Sequence, residues 1–197
     1  PAGGDFSDPV TENTKRYVNA FLALDRKLAY SRHYPAINWL TSYSGYINVL
    51  ENWYRENIQD DIMELRARML TTLNEEDKLQ EIVQLVGEDV LPDDQRLTIE
   101  IARVLKVGFL QQNAFHDIDT YVPLEKQYEM LKCIEFLYDR ASDAIKGGVP
   151  ISVVREQKLF GDVTGMKYAI PNDDLSGIQQ LKDQIEKYYD EILKKYR

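Results

Sequence analysis

Residues 92–109 have the sequence PDDQRLTIEIARVLKVGF, and their pattern is typical of an amphipathic helix. Pro92 suits the first helical position, and the two aspartates that follow it favour the positive end of the helix dipole. Every fourth residue in the rest of the segment is apolar, which places these residues on one helix face: Leu97, Ile101, Leu105 and Phe109. We therefore predict a helix that begins at Pro92, buries this face and ends near Asn113.

Helical spacing of apolar residues continues on both sides of this segment, from about Gly45 to the end of the chain. Asn74 is typical of an N-cap and Gly87 of a C-terminal stop, which together predict a helix over residues 75–86. Pro123 and the pair Gly147-Gly148 bound a further helix in the same way. The apolar residues of the helix over residues 75–86 lie on one face: Leu79, Ile82, Val83 and Val86. The last helix is predicted from about Asp174 to Tyr196.

Two segments give a less regular pattern. Residues 149–173 are mixed, because Gly161, Gly165 and Pro171 interrupt their apolar positions. Residues 17–24 are apolar on both faces and predict either a buried strand or a buried helix, since periodicity does not distinguish the two.

The remainder of the N-terminal part differs from the helical part in composition. Residues 3–9 are punctuated like a loop, and Asp25 is a plausible N-cap for a short helix that extends to Arg32. Residues 35–39 are predicted to be extended because a proline opens them. The fold class is therefore mainly α, with a helical bundle over residues 45–197 and a small α/β segment over residues 1–44.

Composition excludes several classes of function. The chain has 197 residues, 44% of them hydrophobic, and a net charge of −9 at pH 7. An acidic chain is a poor candidate for binding nucleic acid, and its longest apolar runs are too short to span a bilayer. No basic region followed by an apolar stretch opens the chain, so no secretory signal is expected. No glycine is followed by lysine, so a phosphate-binding loop is absent from the sequence, and so is a G-x-G-x-x-G fingerprint.

Candidate catalytic groups are few. The chain contains one cysteine, Cys133, which lies in an apolar helical segment and is expected to be a small core residue. His116, Asp117 and Asp119 could supply metal ligands or the carboxylates of a small stand-alone hydrolase, but a polar loop that caps helices is the simpler interpretation. We therefore expect no catalytic residue, no metal site and no turnover by the isolated chain.

Tyr34 and Phe115 are the more informative side chains. Tyr34 precedes a proline whose restricted backbone would hold its ring, and Phe115 follows just past a predicted helix end. Two aromatic rings on rigid supports can enclose a planar heteroaromatic base. The residues alone favour the simpler interpretation, in which both rings fill the core.

Longer segments resemble a known family. GGDFSDPVTENT at residues 3–14, ALD at 23–25 and RHYPAINWLTSYS at 32–44 are similar to the catalytic A subunit of archaeal and vacuolar-type rotary ATPases. GFLQQNAF at 108–115 and DTY at 119–121 resemble the C-terminal helical domain of the same family. These matches are long and specific, and they bracket residues 3–121.

The resemblance implies that residues 1–44 are the end of a RecA-like nucleotide-binding domain and residues 45–197 the C-terminal helical domain. It implies that residues 17–24 form a strand, in a sheet whose other strands lie upstream. The phosphate loop, the magnesium-binding carboxylates and the catalytic glutamate of the family would also lie upstream. The implied function is ATP synthesis or hydrolysis coupled to proton or sodium translocation.

The resemblance also implies site residues and partners. The adenine-binding pocket of the family falls on Tyr34, where many members have Phe, and on Phe115. The contact with the rotating central stalk falls on the turn between two helices: Gly87, Glu88, Asp89, Leu91, Pro92, Asp93 and Asp94. ATP or ADP with Mg would bind the intact subunit, and none is expected to bind this chain tightly. The implied partners are the B subunits and the stalk, in a peripheral complex on the cytoplasmic side of the membrane. A helical protein-interaction module without nucleotide binding is the alternative.

Overall fold

The computed structural model describes residues 7–196, so residues 3–6 of the predicted N-terminal loop lie outside the described part. The chain forms two compact units, of which the first extends to Met63 and the second begins at Glu64. Helix α4 begins at Ile62 and supplies the first residues of the second unit.

The first unit contains short helices and a minimal sheet. Asp8 caps its first helix by accepting a hydrogen bond from the backbone N–H of Thr11 at 3.1 Å. Strand β1 pairs antiparallel with strand β2, with Ala20 opposite Ser44 and Phe21 opposite Tyr43. The elements in chain order are α1 Pro9–Lys15, β1 Ala20–Phe21, α2 Arg26–Tyr30, β2 Tyr43–Ser44 and α3 Tyr46–Asn57.

Residues 17–24 are not one continuous strand, since Tyr17 lies in a turn, and the expectation that they are buried is also wrong. The regular strand within them has only two residues, and an isolated bridge joins Leu24 to Ile37. Tyr17 and Leu24 are 88% and 79% exposed, whereas Ala23 is 1% exposed. An interior strand needs a layer on each face, and the described residues of this unit do not supply both.

The predicted cap at Asp25 is confirmed. Its Oδ1 accepts hydrogen bonds from the backbone N–H groups of Lys27 at 2.7 Å and Leu28 at 3.1 Å. Helix α2 ends at Tyr30, slightly before the predicted end at Arg32.

The second unit is entirely helical in its regular elements. Three of the predicted boundaries are confirmed: Gly87 follows the last residue of α4 with φ of 88°, Pro123 is the N-cap of α6, and Gly147 is its C-cap. The elements are α4 Ile62–Val86, a 3₁₀ turn Glu88–Val90, α5 Asp93–Leu105, a π-helical turn Lys106–Leu110, α6 Leu124–Lys146, α7 Ile151–Val154, α8 Gln157–Ala169 and α9 Ser176–Tyr196.

The core of the second unit surrounds α6. This helix contacts α5, α7, α8 and α9, so its apolar face is covered along its whole length. Cys133 is fully buried in this face, as predicted, and burial raises the pKa of its thiol to about 12. The side chains at 0% exposure include Ile101, Ile134, Leu137, Ala141, Val163, Met166, Ile185 and Tyr189.

The prediction that Asn74 caps a helix is wrong. Asn74 lies inside the continuous helix α4, and its side-chain amide donates to a backbone carbonyl of the preceding turn at 2.8 Å. Tertiary contacts hold α4 on both sides of this residue. Arg68 donates to Glu135 of α6 at 2.9 Å, and Glu76 accepts from Lys106 at 2.5 Å. These contacts outweigh the weak helix propensity of one asparagine.

The expectation that Gly161 and Gly165 interrupt the pattern is also wrong, because both lie within α8. The buried side chains of this helix lie at other positions: Leu159, Phe160, Val163, Met166 and Lys167. A Cβ added at either glycine would meet no atom within 4 Å, so neither glycine is needed for a close contact with another part of the chain. Burial of the remaining side chains maintains the helix despite the cost of two glycines.

We predict that Leu137→Ala lowers the free energy of unfolding by about 2–5 kcal/mol, because it leaves a cavity at a fully buried position. Leu85→Ala is the matched control, since Leu85 is 85% exposed and its loss should change the free energy by about 0.5 kcal/mol or less. Chemical denaturation of both variants measures the difference. Equal effects would contradict the assigned core.

Candidate functional site

Phe115 lies in the segment that connects the π-helical turn to α6. Its ring is 98% exposed. The backbone around it is nevertheless ordered by local hydrogen bonds, because its N–H donates to Oδ1 of Asn113 at 3.0 Å and the hydroxyl of Thr120 donates to the carbonyl of Ala114 at 3.0 Å. An apolar ring is thus presented to solvent on a supported turn. We call residues 111–121 the Phe115 loop.

The base of the Phe115 loop is closed by buried polar groups. Asp119 is 2% exposed, and its Oδ2 accepts the backbone N–H of Asn113 at 2.6 Å. The side-chain amide of Gln112 donates to the carbonyls of Asp119 at 2.9 Å and Thr120 at 3.3 Å. These bonds join the two ends of the loop to each other.

His116 contributes to the same closure. Its Nδ1 accepts the backbone N–H groups of Ile118 at 3.2 Å and Asp119 at 3.4 Å, and its ring lies 4.7 Å from the ring of Tyr168. The sequence suggested a polar loop that caps helices, whereas these hydrogen bonds of His116 cap the backbone of the loop itself. Within residues 7–196, no group of three or more His, Cys, Asp or Glu side chains is arranged to hold a metal ion.

Two buried lysines attach the Phe115 loop to the helices. Lys167 of α8 is 1% exposed, and its Nζ donates to the carbonyl of Gln111 and lies 3.6 Å from Oδ2 of Asp119. Lys126 of α6 is fully buried and donates to the carbonyl of Ile170 at 2.6 Å and to Oδ1 of Asn172 at 2.9 Å. Burial lowers the pKa of both ammonium groups, and the charge of Asp119 opposes that shift.

Sequence reasoning did not identify these lysines as site residues. Lysine in an amphipathic helix normally indicates a solvated face, and nothing in the spacing of Lys126 or Lys167 distinguishes them from exposed lysines. The available signal was the polar density of the HDID segment at residues 116–119, which required buried partners once that segment was enclosed.

Tyr34 lies in the first unit and is 54% exposed. It precedes a cis peptide bond to Pro35. The segments on either side are held by backbone hydrogen bonds, from His33 to the carbonyl of Leu28 at 2.9 Å and from Asp25 to the carbonyl of Ala36 at 2.9 Å. The ring of Tyr34 is therefore partly accessible, and hydrogen bonds hold the backbone on both sides of it.

The turn between α4 and α5 contains residues that hold it in place and a residue that faces solvent. Leu91 is 7% exposed, and a carboxylate oxygen of Asp93 accepts the backbone N–H of Ile151 at 2.9 Å, so both hold the turn in place. Asp89 is instead 98% exposed in its side chain and lies 3.6 Å from Arg96. Of the predicted site residues in this turn, Asp93 thus has a structural partner and Asp89 faces solvent.

An apolar patch adjoins this turn. Ile82, Leu85 and Val86 at the end of α4 are 44%, 85% and 54% exposed, and Val90 in the 3₁₀ turn is 68% exposed. The helical spacing places Ile82 and Val86 on one apolar face, but the fold leaves both side chains exposed. We call these four residues the tip patch.

Two family models match the chain. The one described as the C-terminal domain of V and A type ATP synthase matches residues 51–154. The one described as the ATP synthase alpha/beta family, nucleotide-binding domain, matches residues 1–44. The class of protein is therefore an ATP synthase subunit in which a nucleotide-binding domain precedes a helical domain.

Curated relatives agree with the family models. The chain is 66% identical over 197 residues to V-type ATP synthase alpha chain 2 of Clostridium tetani and 55% identical over 197 residues to the V-type ATP synthase alpha chain of Halothermothrix orenii. It is 49% identical over 194 residues to the A subunit of the A-type ATP synthase of Methanopyrus kandleri. These alignments cover 98–100% of this chain and 33% of each relative.

The chain belongs to the family of V- and A-type ATP synthase alpha chains, also called A subunits, and corresponds to their C-terminal part. It spans about a third of the length of these relatives. A solved structure of the ATP synthase subunit NeqB from Nanoarcheaum equitans has the same fold, with a TM-score of 0.56 and 19% identity over 68% of this chain and 33% of that one. No helix within residues 7–196 has the length and apolar character needed to cross a membrane.

We predict that Asp93→Ala lowers the free energy of unfolding by about 1–3 kcal/mol, because the backbone N–H of Ile151 loses its charged acceptor. Asp94→Ala is the control, since the neighbouring Asp94 is more accessible to solvent and should change the free energy by about 0.5 kcal/mol or less. Thermal or urea unfolding of the two variants measures the difference. A larger loss for Asp94→Ala would contradict the structural role of Asp93.

Proposed function

We propose that this chain takes part in ATP synthesis or hydrolysis by providing Tyr34 and Phe115 as aromatic walls for the adenine base. The observation that carries the proposal is the near-complete exposure of Phe115 on a loop whose base is closed by buried polar groups. Exposing an apolar ring is unfavourable unless a ligand or partner covers it. Stacking on an aromatic side chain contributes about 1–3 kcal/mol per base.

The phosphate groups would bind elsewhere in the intact subunit. The sequence contains no glycine followed by lysine, and the buried carboxylate of the Phe115 loop, Asp119, is engaged in closing it. Phosphoryl transfer depends on a phosphate loop, Mg²⁺ and positive side chains that neutralise developing charge. Residues upstream of this chain would supply these groups, and the chain alone would bind ATP or ADP weakly.

We predict that Phe115→Ala and Tyr34→Ala, each in the complete subunit within its complex, raise the Kd for ADP by about 5- to 150-fold, which corresponds to the loss of about 1–3 kcal/mol of stacking. Equilibrium titration with a fluorescent ADP analogue measures the Kd.

Each variant has a matched control. Tyr121→Ala removes an aromatic side chain that is 74% exposed in the same loop, and Tyr30→Ala removes one that is 81% exposed near Tyr34 in the sequence. Both controls should leave the Kd within about twofold of its original value. An unchanged Kd in Phe115→Ala and Tyr34→Ala would favour the alternative, a helical interaction module that does not bind nucleotide.

The second contribution we propose is contact with the central stalk of the complex. The tip patch supports this assignment, because its four apolar side chains adjoin a turn that Leu91 and Asp93 hold rigidly. A supported helix pair with an apolar end can transmit a mechanical push. Glu88 and Asp89 would act mainly through long-range attraction during association, since exposed carboxylates contribute little energy in direct contact.

We predict that Leu85→Asp weakens binding of the complete subunit to isolated central-stalk subunits by about 10- to 100-fold, because a side chain worth about 1.5–3 kcal/mol of burial is replaced by a charge. Val49→Asp is the control, since Val49 is 77% exposed on α3 and lies outside the tip patch. Surface plasmon resonance provides the affinities. Equal weakening by both substitutions would exclude a specific role for the tip patch.

In the assembled enzyme the chain would lie beside B subunits in a peripheral head on the cytoplasmic side of the membrane. Proton or sodium translocation would occur in the membrane part of the complex, and this chain would meet the membrane only through the other subunits. Rotation of the stalk would alter nucleotide affinity by displacing Phe115 relative to Tyr34.

A further inference from the structure

Lys126 and Lys167 are buried completely or almost completely, which is unusual for lysine. Lysine is rarely buried completely, because removing its ammonium group from water is unfavourable unless several acceptors replace the water. Lys167 and Lys126 are 1% and 0% exposed. Lys126 has three acceptors, namely the carbonyls of Lys167 at 3.2 Å and Ile170 at 2.6 Å and Oδ1 of Asn172 at 2.9 Å.

The acceptors of Lys167 lie at the two ends of the Phe115 loop. Its Nζ donates to the carbonyl of Gln111, where the loop begins, and lies 3.6 Å from Oδ2 of Asp119, near its end. The same Oδ2 accepts the backbone N–H of Asn113 at 2.6 Å. One ammonium group on α8 therefore connects both ends of the loop to the helical core.

Lys126 provides an indirect attachment to the same loop. It orients Asn172, whose side-chain amide donates to the carbonyl of Ile118 at 3.0 Å and of Tyr121 at 2.7 Å. The loop is thus held from α8 directly and from the segment after α8 through Asn172. Phe115 lies between these attachments, and its own side chain packs against almost nothing.

Stability alone does not account for this arrangement. Replacing a buried ion pair by apolar side chains of similar volume is often neutral or stabilising, so such a pair is weak support for a purely stabilising role. Directional bonds to defined carbonyl and carboxylate oxygens do, however, restrict the loop to one geometry. A restricted loop loses less conformational freedom when its exposed ring meets a ligand.

We propose that Lys167 is a positioning residue for the nucleotide site, which holds the Phe115 loop in the orientation that lets the ring of Phe115 stack on the adenine base. This inference rests on the adenine contact proposed above for Phe115. Lys167 touches no nucleotide, and its effect passes through Gln111 and Asp119 to the loop.

The test uses the complete subunit within its complex, with the double substitution Lys167→Met/Asp119→Asn. The double change removes both charges, so neither is left buried and unpaired, and the asparagine keeps an acceptor for the N–H of Asn113. The ligands are ADP, which contains the base, and inorganic tripolyphosphate, which lacks it. The control is Lys182→Met, which removes a half-buried lysine paired with Glu129 at 2.8 Å in the same unit, away from the Phe115 loop.

We expect the double variant to raise the Kd for ADP by at least threefold and by no more than Phe115→Ala does. The Kd for tripolyphosphate should stay within about twofold of its original value, because the phosphate-binding groups are unaffected. Lys182→Met should change neither. Backbone hydrogen exchange should accelerate in residues 113–119 of the double variant and not in α9, which a general loss of stability would not reproduce.

Repeating the measurement in a subunit that carries Phe115→Ala separates this inference from the proposed function. If Lys167 acts through the ring, the double substitution has no further effect on ADP affinity in a subunit that already carries Phe115→Ala. An equal loss in both backgrounds, or an unchanged ADP affinity despite a large effect of Phe115→Ala, would overturn the positioning role. No effect of Phe115→Ala itself would overturn the adenine contact instead. If the double variant does not assemble, Lys167→Leu/Asp119→Asn, which also leaves neither charge buried without its partner, is measured with the same criteria.

Discussion

The packing of helices around α6 is the constraint on which the second unit depends. Ile134, Leu137 and Ala141 are fully buried, and α5 and α9 cover the face they form. Close packing of this kind fixes the relative positions of the helices, because side chains that interdigitate leave few alternative arrangements. The ends of α5, α6 and α8 are therefore rigid points from which loops can be held.

The Phe115 loop depends on those rigid points. Its closure needs Lys167 on α8, and the ammonium group of Lys167 can remain buried only because Gln111 and Asp119 are brought to it. The loop and the helices thus satisfy one another's polar groups. This mutual dependence allows an apolar ring to be held in solvent, which a loop without buried partners would not achieve.

The membership of the chain in the V- and A-type ATP synthase family gives these features a common context. Two exposed apolar features of the second unit, Phe115 and the tip patch, stand on supported backbone and lack cover within the described residues. A contiguous exposed apolar patch often marks a site that another molecule covers. A base at one and a protein partner at the other would explain why neither is buried.

Local signals in the sequence were sufficient to predict the boundaries of those helices whose ends carry a capping or helix-ending residue. Pro123, Gly147 and Gly87 mark boundaries that the structure has, and Asp25 caps the helix it was expected to cap. These predictions succeed because a cap or a stop depends on the residue itself and on its immediate neighbours. The resemblance to the family, confirmed by the comparisons, likewise needed only contiguous residues.

The tertiary structure decided the properties that depend on contacts between residues distant in sequence. The continuity of α4 through Asn74 and the exposure of the tip patch depend on helices remote in sequence. The burial of Lys126 and Lys167 depends on carbonyl groups up to 56 residues away. A lysine has the same appearance in the sequence whether water or a ring of backbone oxygens surrounds its ammonium group, so only the folded chain distinguishes the two.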